Sequence, residues 1–90
     1  MDVVFLEGKD LSSESKTHEI LKSKLDLPDY YGNNLDALWD CLTGWVSMPI
    51  KVVWTDFEFS KKQLGGFADE LLQLFFEAKD EIDGFDIETT

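Results

Sequence analysis

The chain contains no arginine; its eight basic residues are all lysines, against 19 carboxylates, for a net charge of −11. That balance leaves no basic footprint for nucleic acid and would be repelled by an anionic membrane. It favours a basic protein as partner and speeds the encounter by electrostatic steering. The one cysteine, Cys41, excludes an internal disulfide and a secreted disulfide framework. No run approaches the ~18 apolar residues of a membrane span. The first residues, Met1 to Glu7, lack a basic region and hold too short an apolar run for a signal peptide. The expected location is therefore the cytoplasm. Repeats, linkers and low-complexity tracts are also missing, the acid-rich stretch from Asp80 coming nearest.

What is present belongs to a globular protein. Ninety residues, 43% apolar and 13% aromatic, suffice for one modest core despite the charge. A single domain over 1–90 is expected.

Val3–Leu6 is a short apolar run closed by Gly8 and predicts a buried strand. Ser12, Ser13 and Ser15 offer N-caps for a helix carrying Ile20, Leu21 and Leu25, which stops before Pro28. The loop from Pro28 leads to Asn34, a plausible N-cap for a helix whose Leu35, Leu38 and Leu42 form a core stripe. Gly44 stands where a left-handed C-terminal cap is expected. Ile50–Trp54 predicts a second strand, and Thr55 or Asp56 can cap a short helix that Gly65-Gly66 ends. Phe67–Ile82 is the longest helical pattern, with Phe67, Leu71, Leu74, Phe75 and Ala78 on one face; after Gly84, Phe85–Thr90 predicts a third strand. Strands separated by helices, with no short hairpin, imply an α/β fold with a parallel sheet.

Residues 30–46, YYGNNLDALWDCLTGWV, concentrate the chemistry. Asp36 and Asp40 stand one helical turn apart, where like charges repel by roughly 0.2–0.5 kcal/mol. A solvated helix usually answers such a pair with a cation, yet no lysine lies between Lys24 and Lys51. Tyr30, Tyr31, Trp39 and Trp45 flank the pair. Each feature has a plainer reading: the tyrosines can wall the core, Trp39 can be half buried, and Gly32 can serve a positive φ. Together, on a lysine-free surface, they predict a binding face for a cationic partner.

Catalysis has little to work with. His18, the only histidine, suits packing or capping beside the first helix's apolar ridge. Cys41 lies on a helix that must pack, among acids that disfavour a thiolate. The two aspartates lack a histidine, a nearby lysine or a phosphate cradle, and hard cations need six or more oxygen ligands. No catalytic residue, metal or cofactor is expected.

The segment Tyr30–Val46 closely resembles the signature of the barstar family, intracellular inhibitors of barnase-type ribonucleases. The match continues through Pro49 and Trp54 into Phe75-Phe76-Glu77-Ala78-Lys79, ungapped from Leu25 to Lys79. The resemblance implies a three-stranded parallel sheet packed with about four helices. It further implies that Asp40 takes the place of the RNA phosphate, since arginine forks bind carboxylate and phosphate alike. Asp36 would meet basic residues at the rim, and Tyr30 would stack on the catalytic histidine. Asn34, Trp39, Thr43, Gly44 and Trp45 would complete the contact, with Glu77 adding an ion pair from the last helix.

The chain departs from the family pattern in three places. Asn33 replaces an acidic residue, Phe85 stands near the place of a second cysteine, and two inserted residues precede Gly84, after which the final strand is shorter and more acidic. That strand is expected at the sheet edge.

The expectation is a monomer that inhibits a basic, extracellular-type ribonuclease by occupancy, without binding nucleic acid or membrane. Two alternatives are an immunity protein for a different toxin nuclease and an acidic interaction module for a basic non-nuclease protein. Binding by the latter would follow overall charge rather than Asp40.

Overall fold

The computed structural model describes residues 2–90, and strands alternate with helices along them. Strand β1 (Asp2–Glu7) passes through a 3-10 turn at Gly8–Asp10 into helix α1 (Glu14–Lys24). Helix α2 (Leu35–Gly44), strand β2 (Ile50–Thr55), helices α3 (Phe57–Leu64) and α4 (Gly66–Glu81), and strand β3 (Phe85–Thr89) follow. The three strands form one parallel sheet in the order β1-β2-β3. This is the predicted α/β architecture, with four α-helices.

The register explains how the core is made. Val4, Val52 and Ile87 pair across the sheet, as do Asp2, Ile50 and Phe85. Val52, Ile87, Ile50 and Phe85 lie in the core with Leu6 and Trp54, and Val4 packs against it. Side chains alternate faces along a strand, so these residues share the face that packs against the helices. The other face carries Val3, Lys51 and Asp86 in one row and Phe5, Val53 and Glu88 in the next. Val3 and Phe5 are exposed there. Lys51 bonds Glu88 at 2.9 Å across that face, and Lys79 reaches Asp86 at 3.2 Å.

Strand β1 therefore differs from its sequence reading. It is an edge strand in which only Leu6 is buried, because β2 takes the centre of the sheet. An apolar run of four residues does not distinguish a central strand from an edge strand whose outer side chains stay wet. The third strand takes the edge position expected of it.

Helix boundaries follow local chemistry. Ser13 caps α1, its side chain accepting from the Lys16 N–H. Gly65, at φ +60°, ends α3 and turns the chain into α4. The five residues expected on the inner face of α4 are all buried. Gly8 sits where a Cβ would fall against the Thr55 and Asp56 carbonyls and Ser60 Oγ. Glycine thus lets the end of β1 lie directly on the start of α3. Ser60 Oγ closes this contact, donating to the Gly8 carbonyl at 3.0 Å while accepting from Trp54 Nε1 at 3.0 Å. Trp54 is fully buried, and Phe57 and Phe75 meet its ring edge-on.

Candidate functional site: an acidic face across helices α2 and α4

The start of α2 is set by two asparagines. Asn33 adopts the left-handed conformation, φ +55°, which asparagine tolerates better than most residues. Asn34 then caps the helix: its Oδ1 accepts from the Ala37 N–H at 2.7 Å and its Nδ2 donates to the Gly32 carbonyl at 3.3 Å. Asn34 thus has a structural task whatever else it contacts. Gly32 is not at positive φ; a Cβ there would stand 3.3 Å from Ala37 Cβ, a tight contact that the start of α2 would have to yield to.

Leu38, Cys41 and Leu42 bury the inner face of α2. Helical periodicity then leaves Asp36, Asp40, Thr43 and Gly44 outside, with Trp39 half-buried beside the two carboxylates. Asp36 lies in the first turn, where the helix dipole favours an anion. Among the described residues neither aspartate forms an ion pair; the pairs are Lys16–Glu19, Lys51–Glu88, Lys61–Asp69 and Lys79–Asp86. The Thr43 hydroxyl turns back to the Trp39 and Asp40 carbonyls, at 2.9 and 3.1 Å.

The C-terminal end of α2 corrects a second expectation. Gly44 is not a left-handed cap: it is the last helical residue, and the Trp45 and Val46 N–H groups both bond the Cys41 carbonyl. A Cβ on Gly44 would meet nothing within 4 Å. Nothing among the described residues therefore calls for glycine at this position.

Trp45 joins the helix to the preceding loop. Its Nε1 donates to the Asp26 carbonyl at 2.9 Å, and its half-exposed ring meets Tyr30 edge-on, with centroids 6.2 Å apart. Tyr30 is 79% exposed whereas its neighbour Tyr31 is 6% exposed, so the two tyrosines part company. Tyr31 points inward, and its hydroxyl shares a 2.6 Å hydrogen bond with His18 Nδ1 on α1. Burial pushes the Tyr31 phenol up and lowers the His18 pKa, against the opposing pull of Glu14. A neutral, packed His18 results, the role expected from its place in the sequence.

Cys41 is likewise buried, its thiol pushed up by burial and by neighbouring Asp40. Both effects disfavour the thiolate, the form that acts as a nucleophile. Among the described residues, no three histidine, cysteine, aspartate or glutamate side chains are grouped to hold a metal ion. Among the same residues, no helix is long and apolar enough to cross a membrane.

Helix α4 completes the face. A groove of about 520 Å³ runs between α2 and α4, with Leu35, Trp39 and Leu74 among its walls. Asp36 lines it from α2 and Glu77 from α4, so the fold brings these two predicted residues, 41 positions apart, to one groove. Glu70 and Gln73 line it as well, and the sequence reading passed over both. Their signal was the spacing of positions 70, 73 and 77, one stripe of a helix. Tyr30, Trp45, Asp40 and Thr43 are exposed. They lie on the loop before α2, on α2 and just after its end, rather than in the groove.

A face of unpaired carboxylates and aromatic edges, held by caps and ring contacts, suits recognition of a cationic protein surface better than bond-making. Comparison with known proteins gives the same direction. The family model described as "Barstar (barnase inhibitor)" matches residues 1–90. A Bacillus subtilis (strain 168) protein named "Putative ribonuclease inhibitor YrdF" is 50% identical over 82 residues, covering 91% of this chain and 90% of that protein.

Proposed function

The chain belongs to the barstar family, and from that premise we propose that it is an intracellular inhibitor of a barnase-type ribonuclease. It occludes the active site with the loop and helix of residues 30–46 and needs no cofactor. The observation that carries this reading is the unpaired carboxylate pair of α2. Asp36 and Asp40 stand outward without a cation among the described residues, one helical turn apart.

Asp40 takes the position of the substrate phosphate. A carboxylate presents two acceptor oxygens to an arginine fork, as a phosphate does, in short charge-assisted hydrogen bonds. Asp36 meets basic residues at the rim, and Glu77 adds an ion pair from across the groove. Tyr30 stacks on the catalytic histidine, with Trp39 and Trp45 supplying rigid apolar area beside it. Asn34, Thr43 and Gly44 complete the contact.

Pre-organisation supports the reading, because ordering loops on binding costs affinity. The Asn34 cap, the Trp45–Asp26 hydrogen bond and the Tyr30–Trp45 ring contact hold the loop before any partner arrives. Gly44 supports it too, since its missing side chain serves no neighbour among the described residues and leaves room for one outside. The net charge of −11 draws a basic enzyme in from a distance.

Titrating the protein into barnase while following RNA cleavage tests this. Stoichiometric loss of cleavage is expected. Asp40→Ala should weaken it by more than about 30-fold, the behaviour of an interface hot spot. Glu88→Ala, on the outer face of the sheet, should have little effect. Equal, small losses from both substitutions would remove the phosphate-mimic role. No inhibition at micromolar concentration would direct the search to a different toxin nuclease.

A further inference from the structure

The groove between α2 and α4 does not end at Glu77. Glu70 and Leu35 line it at its other end, and the same two residues line a second depression of about 320 Å³. That depression lies where the starts of α1 and α2 meet α4, with Glu14, Asn33 and Phe67 around it. No lysine lines either hollow. On α4, Glu70, Gln73 and Glu77 follow one another along a single stripe.

The carboxylates along this stretch are not equivalent. Asp69 is matched by Lys61 at 3.3 Å, and Lys79 is held by Asp86. Glu70 forms no ion pair among the described residues and is exposed at the junction of the two hollows. Beside it half-buried Leu35 and buried Phe67 supply apolar surface. The smaller hollow is at the low end of small-molecule site volumes and has room for one long side chain. A long aliphatic stem carrying a positive head fits both features, since such side chains lay their methylenes on apolar surface and keep the charge at a polar rim.

We propose that the docking surface extends along α4 to Glu70, which receives a second lysine or arginine of the ribonuclease, its stem lying over Leu35. The inference rests on the inhibitor reading and names the partner chemistry at a further part of that surface. Charge complementarity with a basic enzyme and continuity with the Asp36–Glu77 groove argue for this occupant. A second copy of the chain is disfavoured, because it carries the same charge of −11. Glu70 thereby tunes which ribonuclease is preferred: an enzyme lacking a cation at that point gains nothing from it.

The test is binding of barnase to the whole protein, measured for the unsubstituted chain and for Asp40→Ala, Glu70→Gln and Glu7→Gln. Glu70→Gln removes the charge and keeps the length, while Glu7 is an exposed acid at the end of β1, away from both hollows. Glu70→Gln should weaken binding about two- to fivefold, as an exposed ion pair does when broken. Glu7→Gln should change binding less. Alanine substitution of the enzyme's surface lysines and arginines should then single out one that abolishes the Glu70→Gln effect, a coupling that mere loss of net charge does not produce. Thermal unfolding of Glu70→Gln should match the unsubstituted protein. Equal effects of Glu70→Gln and Glu7→Gln, with binding still dependent on Asp40, would overturn this inference and leave the inhibitor reading standing. No binding of barnase by the unsubstituted chain would overturn the barnase-type reading and this inference with it.

Discussion

The Tyr31 hydroxyl and His18 Nδ1 lie 2.6 Å apart in the interior, joining α1 to the loop that presents Tyr30 on the surface. Two adjacent tyrosines thus divide the work, one anchoring the loop and the other standing 79% exposed beside Trp45. The anchor contains the chain's only histidine.

Stability should therefore depend on pH through His18. Its folded pKa is lowered from 6.5 by burial, so as pH falls the unfolded chain takes up the proton first. The stability attached to neutral His18 is fully present above about pH 6.5 and is lost as pH falls through the folded pKa. Urea midpoints measured from pH 8 to pH 5 should fall for the unsubstituted protein. They should fall less steeply for His18→Gln, which does not titrate in that range. Parallel profiles for the two proteins would contradict the assignment.

Gly44→Ala should separate folding from binding. Gly44 is the last helical residue, and an added Cβ meets nothing within 4 Å, so alanine should stabilise the fold by part of the about 0.5–1 kcal/mol that the change gains in a helix interior. In the proposed docking surface the same methyl would stand against the ribonuclease, so inhibition should weaken. A variant of higher melting temperature and undiminished inhibition would show that Gly44 stands outside the contact.

Ser60→Ala should do the opposite. It strands the buried Trp54 Nε1 and takes one of two donors from the Gly8 carbonyl, which keeps the Leu11 N–H, and should cost about 1–3 kcal/mol. Folded Ser60→Ala protein should inhibit as well as the unsubstituted chain, because the bond lies at the β1–α3 junction. Chemical denaturation beside an inhibition titration checks both parts.

Association with the ribonuclease should slow with salt. As the Debye length contracts from about 10 Å at 0.1 M to about 3 Å at 1 M, steering by a net charge of −11 is screened. The association rate should drop by about tenfold or more, while dissociation changes little because contacts at the docked surface are screened less. Stopped-flow rates over that range decide the matter; a flat association rate would refute steering.

Much of this protein was legible locally. Ser13 and Asn34 announce helix starts because a short polar side chain can satisfy a free N–H three residues on. Leu38 and Leu42 place α2 against the core, which turns Asp36 and Asp40 outward by rotation alone. Where local reasoning erred, it lacked a neighbour. Gly44 looked like a cap because glycines often end helices, yet no positive φ is used there. Val3 and Phe5 looked buried because their composition matches a core strand, yet they face outward at the edge of the sheet.

By itself the sequence determined the charge, the order of strands and helices, and the carboxylate pair of α2, because each depends on residues within a few turns of one another. The tertiary structure alone decided that β2 is central, that Tyr31 turns in to His18 while Tyr30 turns out, and that Glu70 and Glu77 share a groove with Asp36. Those relations join distant segments through helical crossovers packed on a sheet, and no spacing along the chain encodes which faces will meet.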